Sequence, residues 1–256
     1  MMTPSRNLPA GFPAPSPHRD ASRPASFLLR RCQRPGLLLA LCAATLTGCV
    51  VNPVVGQLDD FQKARAAGRW QDIADATPRD CKAEENGCAR LYAIHAEANH
   101  RLAFDGRADK AVCPPSSTVP QLRLAADEFA RSLKTADSSL DAAERSKLHE
   151  LRTQALYCLA ENAATIGDGV RLANAANSEA AALPRPKALL WQAMTQLYLA
   201  RPGAGNDSQR CQSVKAAAAR ASEAQALAAD SESSALLVRI ARDSASLKAS
   251  INGCGG

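Results

Sequence analysis

The chain reads as an all-α protein, and three observations lead there. Roughly a fifth of the residues after Cys49 are alanine, the best helix former, while Val, Ile, Phe and Tyr are sparse. No segment alternates apolar and polar residues with the period of two that a half-buried strand requires. Apolar residues instead recur three and four apart in eight or nine segments, separated by Gly, Pro or Asp/Ser clusters.

Taken in order, residues 50–56 read as a short tether. Leu58, Phe61, Trp70 and Ile73 then mark a helical pair interrupted at Gly68. Residues 89–105 place Leu91, Ile94, Ala98 and Leu102 on one stripe of a helix. Pro114, Pro115 and Pro120 make the stretch from Gly106 to Pro120 a loop. Leu122, Ala125, Ala126, Phe129 and Leu133 follow at helical spacing, and Asp137-Ser138-Ser139 reads as a stop with a fresh N-cap. Leu148, Leu151, Ala155, Leu159 and Ala163 define a long amphipathic helix. Another runs from Gly167 to Ala182, closed by Pro184 and Pro186, and residues 187–200 carry Leu190, Ala193, Met194 and Leu197. Helices from Cys211 to Ala229 and from Ser234 to Ile251 complete the series.

Length and charge set the class. The chain has 256 residues, a net charge of +6 and nine cysteines. Six arginines (Arg6, Arg19, Arg23, Arg30, Arg31 and Arg34) precede residue 49 against one acid, Asp20, which leaves a net +1 from Cys49 onward. A body so close to neutral is no candidate for nucleic-acid binding on charge grounds. The leading segment has the order of an export signal: a basic cluster at Arg30, Arg31 and Arg34, then the apolar run Leu37 to Leu46, too short to span a bilayer. It ends in Leu46-Thr47-Gly48-Cys49, which resembles the bacterial lipobox. That resemblance implies cleavage before Cys49 and a diacylglyceryl and acyl lipid on its sulfur and amine. Val50 in the next position is similar to the pattern that sends enteric lipoproteins to the outer membrane. The expected organisation is a removed leader at 1–48, a lipidated tether at 49–56 and a helical domain at 57–254.

Helical hairpins in series are a repeat architecture. Trp191-x2-Met194-Thr195-x2-Tyr198 resembles the first-helix pattern of the tetratricopeptide repeat family. Ala125-x3-Phe129-x2-Ser132 resembles its second-helix pattern, and Ala67-Gly68-Arg69-Trp70 its inner turn. The 34-residue period of the family is not kept, because insertions follow residues 105 and 200. The resemblance implies a short stacked solenoid with a protein-binding groove, and makes Trp191 and Tyr198 candidate groove anchors, although packing between hairpins is the ordinary role of such aromatics.

Cys32 and Cys42 leave with the leader and Cys49 takes lipid, so six cysteines remain: Cys81, Cys88, Cys113, Cys158, Cys211 and Cys254. An even set in an exported chain predicts disulfides. In an antiparallel hairpin the start of one helix lies beside the end of the next. Cys211 then meets Cys254, Cys113 meets Cys158, and Cys81 closes a local loop with Cys88.

No catalytic motif stands out. His95 and His100 are five apart, which turns the rings about 140° from one another, so the expected place for both is a solvated helix surface. His149 beside Glu150 has no third ligand in view and is read the same way. Gly167-Asp168-Gly169 reads as a turn between helices, and the carboxylate pairs Asp59-Asp60 and Glu84-Glu85 as turn or helix-start residues. No cofactor or metal is expected beyond the covalent lipid. The function expected is a membrane-anchored, non-catalytic interaction scaffold or assembly factor in the cell envelope, with a protein partner. The rivals are an envelope enzyme acting on peptidoglycan through carboxylates, and a purely structural or stress-related lipoprotein.

Overall fold

The computed structural model describes residues 52–81, 86–105, 107–108, 111–135, 139–227 and 231–254. The leader, Cys49, Val50 and the Glu84-Glu85 pair lie outside the described residues. Among the described residues there are nine α-helices and no strand: α1 (Pro53–Ala66), α2 (Trp70–Asp75), α3 (Cys88–Asp105), α4 (Val119–Lys134), α5 (Ala142–Glu161), α6 (Ile166–Ala180), α7 (Arg185–Leu199), α8 (Asp207–Leu227) and α9 (Ser231–Ser250). A 3-10 turn at Ser116–Thr118 leads into α4.

Local chemistry explains where the helices start. Asn52 accepts from the Val54 amide at 2.9 Å with Pro53 in the first turn, so α1 begins inside the segment expected to be a tether. Asp141 and Glu144 form a reciprocal capping box that opens α5. The start therefore falls at Asp141, two residues after Ser139; Asp137 and Ser138 of the expected cap cluster lie outside the described residues. Asn206 and Gln209 make the same reciprocal exchange before α8, at 2.9 and 3.1 Å. Thr165 caps α6 through the Asp168 amide, which puts Gly167-Asp168-Gly169 inside the first turn of a helix and not between two helices. Pro120 and Pro186 likewise sit in the first turns of α4 and α7, where a missing N–H costs nothing, instead of ending a loop or a helix. Between α1 and α2, Gly68 takes φ 69°, and the Arg69 amide reaches back to the Ala64 carbonyl at 2.9 Å.

From α2 onward each helix packs mainly on its neighbours in the chain, whereas α1 rests mainly on α3. The odd-numbered helices also touch one another in sequence, α1 with α3, α3 with α5, α5 with α7 and α7 with α9. The odd helices thus form one layer, and α2, α4, α6 and α8 lie behind it. The core is rich in alanine: Ala155, Ala160, Ala173, Ala176, Ala193 and Ala221 are buried between α5 and α8. At the amino-terminal end larger side chains fill the space, with Val54, Phe61, Ile73, Leu91 and Ile94 between α1, α2 and α3. Three disulfides join Cys81 to Cys88, Cys113 to Cys158 and Cys211 to Cys254, with Cα separations of 5.8, 5.2 and 5.4 Å. Among the described residues no helix is long and apolar enough to cross a membrane.

Candidate functional site

The odd-helix layer carries two recesses. The first, between α1, α3 and the start of α5, is ionic. Glu97 holds Arg65 and Lys147, each at 2.8 Å, and Arg90 donates to both oxygens of Glu144 at 2.9 and 2.8 Å. The Arg101 guanidinium lies 4.7 Å above the Trp70 ring. Gln62 and Ala66 complete the walls.

The second recess is a cavity of about 360 Å³ between α5, α7 and α9. Residues Ala111 to Pro114 form a roof over it, and the disulfide of Cys113 ties that roof to Cys158 on α5. Met194, Leu197, Leu236 and Ile240 supply an apolar wall. The opposite side is charged. Arg201 donates to both oxygens of Glu161 at 2.7 Å, and the Tyr157 hydroxyl donates to the same carboxylate at 2.6 Å. Burial, reinforced by the Glu161 charge, pushes the Tyr157 hydroxyl far above its usual range, so it stays a neutral donor. Burial alone would lower the Arg201 pKa, but its hydrogen bonds and charge pairing with Glu161 outweigh that and raise it. Glu161 thus accepts three hydrogen bonds, two of them from a guanidinium, which suits a fixed wall better than an acid or a base.

The candidate anchors Trp191 and Tyr198 are core residues, 8% and 4% exposed, and neither lines this cavity. Trp191 packs at 6.0 Å from the Tyr157 ring, and the Tyr198 hydroxyl donates to the Ala160 carbonyl at 3.0 Å. Tyr198 stays inside because its one polar atom finds that carbonyl near the end of α5. A Cβ at Gly169 would collide with that hydroxyl, which accounts for a glycine in a helix.

The histidines are not on a solvated surface. His95 is 2% exposed, and its Nδ1–H donates to the buried Glu128 at 2.5 Å, while Asn99 donates to the His95 carbonyl at 3.1 Å. His100 is stacked on Phe104 at 4.4 Å and edge-on to Phe129 at 6.2 Å. Burial lowers its pKa to about 4, against smaller opposing effects of Gln154 and Glu97. Neighbouring helices cover both: Phe61 of α1 and Glu128 of α4 lie against His95, and Phe129 of α4 and Gln154 of α5 lie against His100. His149 is half-buried and shares Glu179 with Arg152. Asp59 lies within α1, paired with Lys63 at 2.5 Å. Among the described residues no group of three or more His, Cys, Asp or Glu is placed to hold a metal ion.

The sequence reading missed this cluster: Tyr157 and Glu161 stand one helical turn apart on α5, a local signal, but Arg201 lies 40 residues beyond Glu161 and no local pattern marks it. Comparison of the chain with protein-family models, with curated proteins and with solved structures gives no match.

Proposed function

We propose that the chain is a lipid-anchored envelope protein, held at the outer membrane by Cys49, whose helical hairpins form a degenerate tetratricopeptide-like solenoid and act as a non-catalytic docking scaffold. One observation carries the repeat reading. The residues that match the repeat patterns, Ala125, Phe129 and Ser132 on α4 and Trp191, Met194, Thr195 and Tyr198 on α7, are all buried where hairpins meet. A stack of this kind leaves one helix layer free to contact a partner through many weak contacts. The disulfides suit an oxidising compartment, as an exported chain requires. Three residues separate Cys49 from Pro53, so a lipid on Cys49 holds the first helix within about 14 Å of the membrane surface.

Site-specific photocrosslinking in intact cells tests the scaffold. A photoreactive residue at Gln62 or Arg101, exposed beside the odd-helix recess, is expected to give one reproducible protein adduct. The same residue at Arg123 or Lys215, exposed on even helices, is expected to give none. Adducts from both layers alike, or from neither, overturn the reading.

A further inference from the structure

A third recess, a cleft of about 490 Å³ between α6, α7 and α8, is lined by polar side chains that the fold leaves without partners. Two residues, about 200° of turn, separate Met194 from Gln196, so this cleft and the cavity beneath the Cys113 roof open on opposite sides of α7. Asn174 of α6, Gln196 of α7, and Gln212, Ser213 and Arg220 of α8 line the cleft. Among the described residues none of the five makes a side-chain hydrogen bond or an ion pair, although Gln196, Ser213 and Arg220 are half-buried. Gln209 is the exception, since its Oε1 accepts from the Asn206 amide in the cap of α8. Arg220 is the one charged residue in the lining, and the acid three positions on, Glu223, is held by Arg185. The cleft therefore offers a guanidinium with no counter-ion, amide groups free to donate and accept, and no carboxylate to repel an anion.

We infer that this cleft binds a short free peptide through its terminal carboxylate, the carboxylate on Arg220 and the peptide units on the side-chain amides of Asn174, Gln196 and Gln212. A primary amide carries a donor and an acceptor in one plane, so it can pair with the N–H and the C=O of a peptide unit. The Ser213 hydroxyl also donates and accepts. Val170, Leu199 and Ala216 give a small apolar floor, which suits short side chains. Size agrees with this chemistry. At about 30 Å³ for each water-sized group, the cleft holds about sixteen non-hydrogen atoms, the scale of a tripeptide. A free amino end would bring a second cation beside Arg220 with no acid in the lining to receive it, so a peptide acylated at that end fits best. A sugar acid would turn its apolar C–H face to a cleft that no aromatic ring lines. The site rests neither on the lipid anchor nor on the docking role.

The test uses the full-length chain carrying Cys49→Ala, so that no attached lipid interferes. It is titrated with N-acetyl-alanyl-alanine, and with the C-terminal amide of the same peptide, by two-dimensional amide NMR. The acid is expected to bind saturably with one site per chain, with its largest shifts at the side-chain amides of Asn174, Gln196 and Gln212. The neutral amide is expected to bind about tenfold more weakly, the loss of one charge-assisted pair. Arg220→Gln is expected to weaken the acid about tenfold and to leave the amide unchanged. Asn174→Leu/Gln212→Leu, at two exposed positions, is expected to weaken both ligands about tenfold or more, with circular dichroism showing the helices retained. Absence of saturable binding of the acid to the folded chain overturns the proposal. So does equal binding of acid and amide, or equal binding of acetate, which would mark an anion on Arg220 alone. Glucuronate binding as tightly as the peptide would also overturn it.

Discussion

The first four helices and the last five hold themselves together by different means. Between α1 and α4 the core combines bulky side chains with a buried hydrogen-bonded pair: Phe61 lies over His95 at 5.9 Å, and His95 is joined to Glu128 across α3 and α4. Between α5 and α9 the helices approach on alanine, and the long-range fastening is covalent, through Cys158 at one end and the Cys211–Cys254 bond at the other. Alanine lets backbones come close but buries little area, so each residue contributes less than a leucine would. A staple compensates by restricting the unfolded chain. The amino-terminal half thus sets a fully buried polar pair in its interior, whereas the carboxy-terminal half keeps its charged groups, such as Glu161 and Arg201, part-exposed and adds two long-range covalent links.

The sharpest way to break that contrast is Glu128→Ala. It leaves the buried His95 donor without a partner and opens a cavity where Glu128 was, which together cost about 3–5 kcal/mol. Urea denaturation should show this, and the double variant His95→Leu/Glu128→Leu should lose much less. Equal losses would mean that the pair is not coupled. In the other half, Cys211→Ala/Cys254→Ala opens a loop with a separation of 43 residues and should cost about 4 kcal/mol. The same treatment of Cys81 and Cys88, only seven apart, should cost about 2.5 kcal/mol, a difference that thermal unfolding under non-reducing conditions can resolve.

Acid should act first on the amino-terminal half. Folded His100 stays neutral down to about pH 4, whereas the unfolded chain takes up that proton near pH 6.5. The unfolded state therefore binds more protons in this window. The His100 contribution is full above pH 6.5 and falls away as the pH drops toward 4, by about 3 kcal/mol in total. His100→Gln should flatten that segment of the stability profile; an unchanged slope would remove His100 as its source. The smallest effect is expected at Gly169→Ala. Alanine favours helix by up to about 1 kcal/mol, but its methyl displaces the Tyr198 hydroxyl from the Ala160 carbonyl, leaving a net loss of about 1–2 kcal/mol. A gain in stability would show that the Tyr198 contact is dispensable.

Helix content and cysteine pairing were legible because both depend on short-range spacing. Alanine and apolar periodicity mark helices, and an antiparallel turn brings Cys211 level with Cys254 whatever the details of packing. Several boundaries were misplaced where one residue type has two meanings. Pro120 and Pro186 break a helix in its interior but open one in its first turn, and Asp141 outranked Ser139 as a cap because Glu144 could reciprocate. The burial of His95 and His100 was hidden for another reason. Only the partner Glu128, 33 residues from His95, makes an interior position tolerable, and no local pattern announces it. The cavity shares that difficulty, since its walls come from α5, α7, α9 and a loop before α4.

The proposed docking role rests on the proposed lipid at Cys49, which would hold the helical body beside a membrane. Cells expressing the chain would be labelled with a palmitate analogue and separated into membrane and soluble fractions, with Cys49→Ser alongside. The account predicts a labelled, membrane-bound wild type shortened by its leader, and a Cys49→Ser chain without label in the soluble fraction. A Cys49→Ser chain that still carries the label, or an unlabelled wild type, would contradict it.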